Sequence, residues 1–142
     1  MIKSDAVRGS SRWALALMVA LAVAHPGCGK SNAGPEVFSD SRTVAVLDNF
    51  GVVFTAQRNG TVDVDVNWTN SANDIDIYVA SGTCATLDIL LGGGCNVIAF
   101  SESATAKPET ATFSATNGTT YSIFARHIGP GTDTITIRLT AR

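Results

Sequence analysis

Thr61-Val-Asp-Val-Asp-Val-Asn-Trp68 alternates without a break: Val62, Val64, Val66 and Trp68 fall on one side, Thr61, Asp63, Asp65 and Asn67 on the other. A period of two is that of a β-strand with one dry and one wet face. Asp74-Ile-Asp-Ile-Tyr-Val79 keeps the same rule, with Ile75, Ile77 and Val79 together. So does Thr134-Ile-Thr-Ile-Arg-Leu139, with Ile135, Ile137 and Leu139 inward. Val, Ile and Thr are branched at Cβ, which suits a pleated surface and costs rotamer freedom on a helix.

Outward from these rows, Asn59-Gly60, Asn117-Gly118 and Gly129-Pro130-Gly131 mark turns, because they tolerate positive φ or a tight bend. Residues 42–142 show no sustained helical period. About eight strands are expected, near 42–47, 51–57, 60–68, 74–80, 96–102, 109–115, 119–127 and 133–141. Strands of this length, each with one apolar face, predict an all-β fold: an antiparallel β-sandwich of jelly-roll type.

The chain has 142 residues, 15% of them charged, and a formal net charge of −2. That is enough for one domain after a leader. The leader is expected over residues 1–27. Lys3, Arg8 and Arg12 precede residues 13–24, an unbroken apolar run. A spanning helix needs about 20 apolar residues, so this shorter run after a basic flank is a secretory signal segment. Without residues 1–27, seven basic residues face eleven acidic ones, a net charge of −4. No Lys/Arg cluster stands out, which excludes nucleic acid as the expected partner.

Two processing sites compete. Ala22-Val23-Ala24 is a small-x-small cleavage site, whereas Gly27-Cys28-Gly29 resembles the lipobox of bacterial lipoproteins, in which Cys28 would be acylated. His25 and Pro26 depart from the usual lipobox residues. Three cysteines in an exported chain leave one over. With Cys28 lipidated, Cys84 and Cys95 are expected to pair as a disulfide; a metal site would need further Cys or His nearby, and there are none. A lipid at Cys28 would be the chain's one link to a membrane. Residues 28–41 are small and polar and are expected to be a flexible tether, with the folded domain over 42–142.

Several motifs in order resemble the bacterial pre-peptidase C-terminal domain family. Gly60-Thr61 leads into a strand ending in Trp68, followed by Asn73-Asp74-Ile75-Asp76-Ile77-Tyr78-Val79. Ala99-Phe100-Ser101-Glu102-Ser103 and Glu109-Thr110-Ala111-Thr112-Phe113 are similar to its middle section. Asn117-Gly118-Thr119-Thr120-Tyr121, with Thr134-Ile135-Thr136-Ile137, resembles its closing hairpin. The resemblance implies a sandwich that does no chemistry itself and is usually appended to secreted enzymes. Some members bind calcium or polymeric substrates. No enzyme domain is expected within residues 1–41, ahead of the module, so it is expected to act alone or with a partner chain.

Asp74 and Asp76, with Asn73 nearby and Asp48 as an addition, offer oxygen ligands for calcium. Calcium takes six to eight oxygens, and this set is incomplete; the alternative is solvation, or pairing with Arg126 or Arg138 across strands. Asp63 and Asp65 are expected to be solvated, edge-protecting charges. His127 is the one histidine of the folded region, and no Gly-x-Ser-x-Gly accompanies it, so a structural role is expected rather than a catalytic one. Trp68 continues an inward row and is expected in the core rather than as a sugar platform. Tyr78, on the aspartate face, is a better candidate than Trp68 for a surface contact, although packing across strands is the simpler account of it. The expectation is a non-catalytic exported module that binds a surface polymer, a partner protein or calcium. The alternatives are a structural envelope lipoprotein and a small secreted hydrolase.

Overall fold

The computed structural model describes residues 34–142. The leader, both processing sites and Cys28 lie outside them. Eight strands and one short helix follow in order: β1 Glu36–Val44, β2 Asn49–Thr55, β3 Gly60–Trp68, β4 Ile75–Ser81, α1 Leu87–Leu91, β5 Asn96–Ser101, β6 Glu109–Ala115, β7 Thr120–His127 and β8 Asp133–Ala141. They form two four-stranded antiparallel sheets, ordered β1-β8-β3-β6 and β2-β7-β4-β5. Strands alternate between the sheets along most of the chain, which is the jelly-roll winding.

The alternating rows face inward as their period dictates. Val62, Val64, Val66 and Trp68 of β3 meet Ile75, Ile77 and Val79 of β4 and Ile135, Ile137 and Leu139 of β8 in one core between the sheets. Most of these side chains are fully buried. Each contributes roughly 1.5–3 kcal/mol by leaving water, so this layer is the main stabilising term of the fold.

The tether ends earlier than its composition suggests. Residues 36–41 belong to β1, which pairs with β8 through Ser39↔Arg138, Asp40↔Ile137 and Ser41↔Thr136. The reason is position. β1 is an edge strand whose backbone ladder to β8 needs no apolar face, and Val44 is its one buried residue. Charges at Glu36, Asp40 and Arg42 suit an edge that must not pair with other chains.

Cys84 and Cys95 form a disulfide, and the loop between them carries α1. Thr86 caps this helix by accepting a hydrogen bond from the Ile89 N–H at 3.3 Å. Five residues are too few to show a helical period. Leu87 and Leu90 drop onto Tyr78, Ala80 and Phe124, making a second apolar cluster on the outer face of the β2-β7-β4-β5 sheet.

Candidate binding face and the polar end of the sandwich

Strand registry lays the wet residues of the β1-β8-β3-β6 sheet into rows. One row runs Ser39, Arg138, Asp65, Thr110; the next runs Ser41, Thr136, Asn67. All are exposed or half-buried, and none is apolar. Neighbours along a row lie one strand spacing apart, about 4.8 Å. Local bonds hold several of them: Ser41 and Thr136 share a hydroxyl bond at 2.6 Å, and Arg138 Nε meets Glu36 Oε2 at 2.6 Å. Further along, the Arg142 guanidinium lies 2.5 Å from Asp63 and, with the Thr112 hydroxyl, holds that carboxyl below its ordinary range despite its partial burial. Asp65, by contrast, is in no ion pair among the described residues.

At one end the face deepens into a cleft of about 530 Å³. Asp65, Asn67, Thr136 and Arg138 form its polar wall, and Trp68 and Pro108 its apolar end. Trp68 is 6% exposed and belongs to the core, as its place in the row predicts. Its indole N–H donates to the Asn73 carbonyl at 3.0 Å, and Lys107 Nζ sits 5.1 Å from the ring centroid.

The same end collects buried polar groups. Asn73, Asp76, Glu109, His127 and Asp133 are all buried, at or near the strand ends that meet here. Asp133 is the hub. It accepts from the Asn73 amide at 2.7 Å, from the Thr69 hydroxyl, and from the Thr69 N–H at 2.9 Å. Burial alone would raise its pKa, but the bonds from Thr69, Asn73 and the Asn70 backbone prevail and bring it down to about 2. Gly129 must be a glycine here: a Cβ would lie 2.3 Å from Asn73 Oδ1. Glu109 accepts from the Ser101 hydroxyl at 2.5 Å and the Ser103 N–H at 2.8 Å, joining the loop after β5 to β6.

His127 is fully buried, and its Nδ1 lies 3.0 Å from the Ala45 carbonyl. The ring therefore meets backbone there, not the carboxylate that would orient a catalytic base.

Asp74 and Asp76 lie on the outer face of the other sheet. Asp76 pairs in register with Arg126 and is 6% exposed. Tyr78 is equally buried: its hydroxyl donates to Glu102 at 2.5 Å and lies 3.3 Å from Asp76. Tyr78 is thus a buried group packed across strands against Phe124, the simpler of the two expectations, because α1 and Phe124 cover that face. Burial, then the nearby carboxylates of Asp74 and Glu102, raise the Asp76 pKa. Among the described residues no three His, Cys, Asp or Glu side chains converge as a metal-ligating group. The two aspartates supply part of a calcium shell; the Asn73 amide nitrogen is spent on Asp133, while its Oδ1 has no hydrogen-bond partner among the described residues.

The roles of Asp133, Glu102 and Lys107 are not legible in the sequence. Their partners lie up to 64 residues away, so no local spacing announces them.

No family model matches the chain, and no curated protein matches it. Among solved structures it is similar to the Yersinia pseudotuberculosis-derived mitogen, with a TM-score of 0.54 over 74% of this chain and 85% of that one. At 12% identity the likeness establishes a shared fold and nothing about activity.

Proposed function

We propose that the chain is a non-catalytic, exported binding module that holds a polysaccharide-type polymer along the outer face of the β1-β8-β3-β6 sheet. The observation that carries this reading is the row of hydroxyl, amide, carboxylate and guanidinium groups running into the cleft beside Trp68 and Pro108. A sugar polymer presents hydroxyls at similar spacing and apolar ring faces, so such rows suit it. The disulfide favours an oxidising, exported setting. The resemblance to the pre-peptidase C-terminal family, some of whose members bind polymers, supports the same reading. Whether the module is anchored through Cys28 or released after Ala24 is answered by the mass of its N-terminal peptide.

The test is retention on insoluble polysaccharides, followed by tryptophan fluorescence with soluble fragments. The chain has two tryptophans, Trp13 and Trp68, so removing the leader leaves Trp68 as sole reporter at the cleft. Retention together with a Trp68 spectral change supports the reading. A chain that passes through cellulose, chitin, xylan and peptidoglycan columns alike sinks it.

A second reading, calcium at Asp74 and Asp76, draws on one observation: Asp76 is buried and crowded by like charges, a repulsion that a cation relieves. Calcium binding to the native state alone must raise the melting temperature. No change between millimolar calcium and chelator removes this reading.

A further inference from the structure

β1 and β2 are the edge strands of opposite sheets on the same side of the sandwich, and a second groove, of about 470 Å³, lies between them. It sits at the start of β3, at the far end from Trp68. Its floor is apolar: Phe38, Phe54, Ala56, Val62 and Ala141. Phe38 and Phe54 are only partly buried against the core, so their remaining surface faces the groove mouth. Val37 on β1 and Val53 on β2 form the lips and are 42% and 56% exposed. Val37 owes its place to a β-bulge: Glu36 pairs with Thr140 and Phe38 with Leu139, leaving Val37 without a partner on β8. Bulges on edge strands re-aim side chains in this way.

The rim is basic. Arg58 and Arg142 are the charged residues lining the groove, which holds no Asp or Glu, although the chain as a whole is acidic. Arg142 is committed to Asp63. Arg58 makes one bond, from Nη2 to the Ala141 carbonyl at 3.0 Å. A guanidinium has five N–H groups, so Arg58 keeps donors for an incoming anion.

We infer that this groove binds a medium-chain fatty acid, its tail on Phe38 and Phe54 between the Val37 and Val53 lips and its carboxylate on Arg58. An apolar slot with cationic donors at one mouth is complementary to an amphiphile with an anionic head. A sugar polymer offers no tail, and a cationic amphiphile would meet Arg58 head-on. The groove and the polar cleft lie at opposite ends of β3, so the two sites are independent.

The experiment is calorimetric titration of the leader-free chain with hexanoate, octanoate, decanoate and laurate, all below their micellar concentrations. One molecule should bind per chain. Affinity should rise roughly threefold to fourfold for each added methylene until the groove is full, then level off. Decanoate should bind about tenfold more tightly than decyltrimethylammonium, and Arg58→Gln should erase most of that difference. Arg58 is exposed, so its replacement leaves the core intact. Ala56→Leu fills the floor and should shorten the best chain; if that variant does not fold, the Arg58→Gln comparison decides alone. Trp68 fluorescence should stay unchanged, unlike in polymer binding. Affinity independent of chain length, equal binding of both head groups, or a stable dimer that covers the groove and excludes decanoate would each overturn the inference.

Discussion

The side-chain amide of Asn73, in the loop between β3 and β4, donates to the Asp133 carboxylate at 2.7 Å across a separation of 60 residues. That bond ties the crossing between the two sheets to the first residue of β8. The Thr69 hydroxyl and backbone bonds complete the set around one buried charge. Removing the carboxylate leaves those donors buried and unpaired, which costs more than the bonds themselves contribute.

Asp133→Ala should therefore lower stability by about 3 kcal/mol, read as a shifted urea midpoint with unchanged slope. Because its pKa falls from 3.8 to about 2 on folding, Asp133 stabilises the fold above about pH 4. That contribution fades as acid brings the pH down toward 2. A variant whose acid transition matches the parent's would show that the carboxylate is not the anchor. Gly129→Ala should weaken the same corner, since its Cβ would strike Asn73.

Asp76 has the opposite sign. Its pKa is raised on folding by burial and by Asp74 and Glu102, so its ionisation begins to oppose the fold above the ordinary value of 3.8 and does so fully once the pH passes the raised value. In chelator, Asp76→Asn should raise the melting temperature at pH 7 by a few degrees, and the gain should vanish below about pH 4. A drop at pH 7 in chelator would contradict the like-charge account. If calcium binds, the variant should also lose the metal-dependent part of its stability.

Reducing the Cys84–Cys95 bridge, or replacing both cysteines by Ala, should cost roughly 2–3 kcal/mol for a loop of this size. The effect should be local. Five-residue α1 cannot hold itself, so the Leu90 and Gly92 amides, bonded to Thr86 and Asp88, should exchange rapidly with solvent hydrogen. Amides of β4 and β7 should stay protected. Retained protection across α1 would mean that Leu87 and Leu90 hold it without the bridge.

Asn67→Ala and Arg138→Ala change exposed side chains on the polar face, so each should alter stability by less than about 0.5 kcal/mol. Retention on the polymer should nevertheless fall, most in the double variant. Equal retention with equal melting temperature would move the binding surface elsewhere.

The strands that carry the core were legible because burial on one side imposes a period of two, and that constraint is local. Val62 to Trp68 and Ile135 to Leu139 needed no partner to be read. β1 escaped in part because an edge strand is defined by its ladder to β8, and Glu36 to Ser41 bear no apolar row. α1 escaped because one turn and a half leaves no period. The pairing of Cys84 with Cys95 followed from counting, provided that Cys28 is spent elsewhere.

The sequence by itself determined the class of fold, the inward rows and the disulfide, since each follows from neighbours or from a count. Only the tertiary structure decided that Asp133 gathers Thr69 and Asn73, that Tyr78 is covered, that Arg138 stands between Ser39 and Asp65, and that an apolar slot opens beside Arg58. Those relations join residues far apart in the chain. The winding of the two sheets sets the distances between them, and no local pattern of polarity encodes that winding.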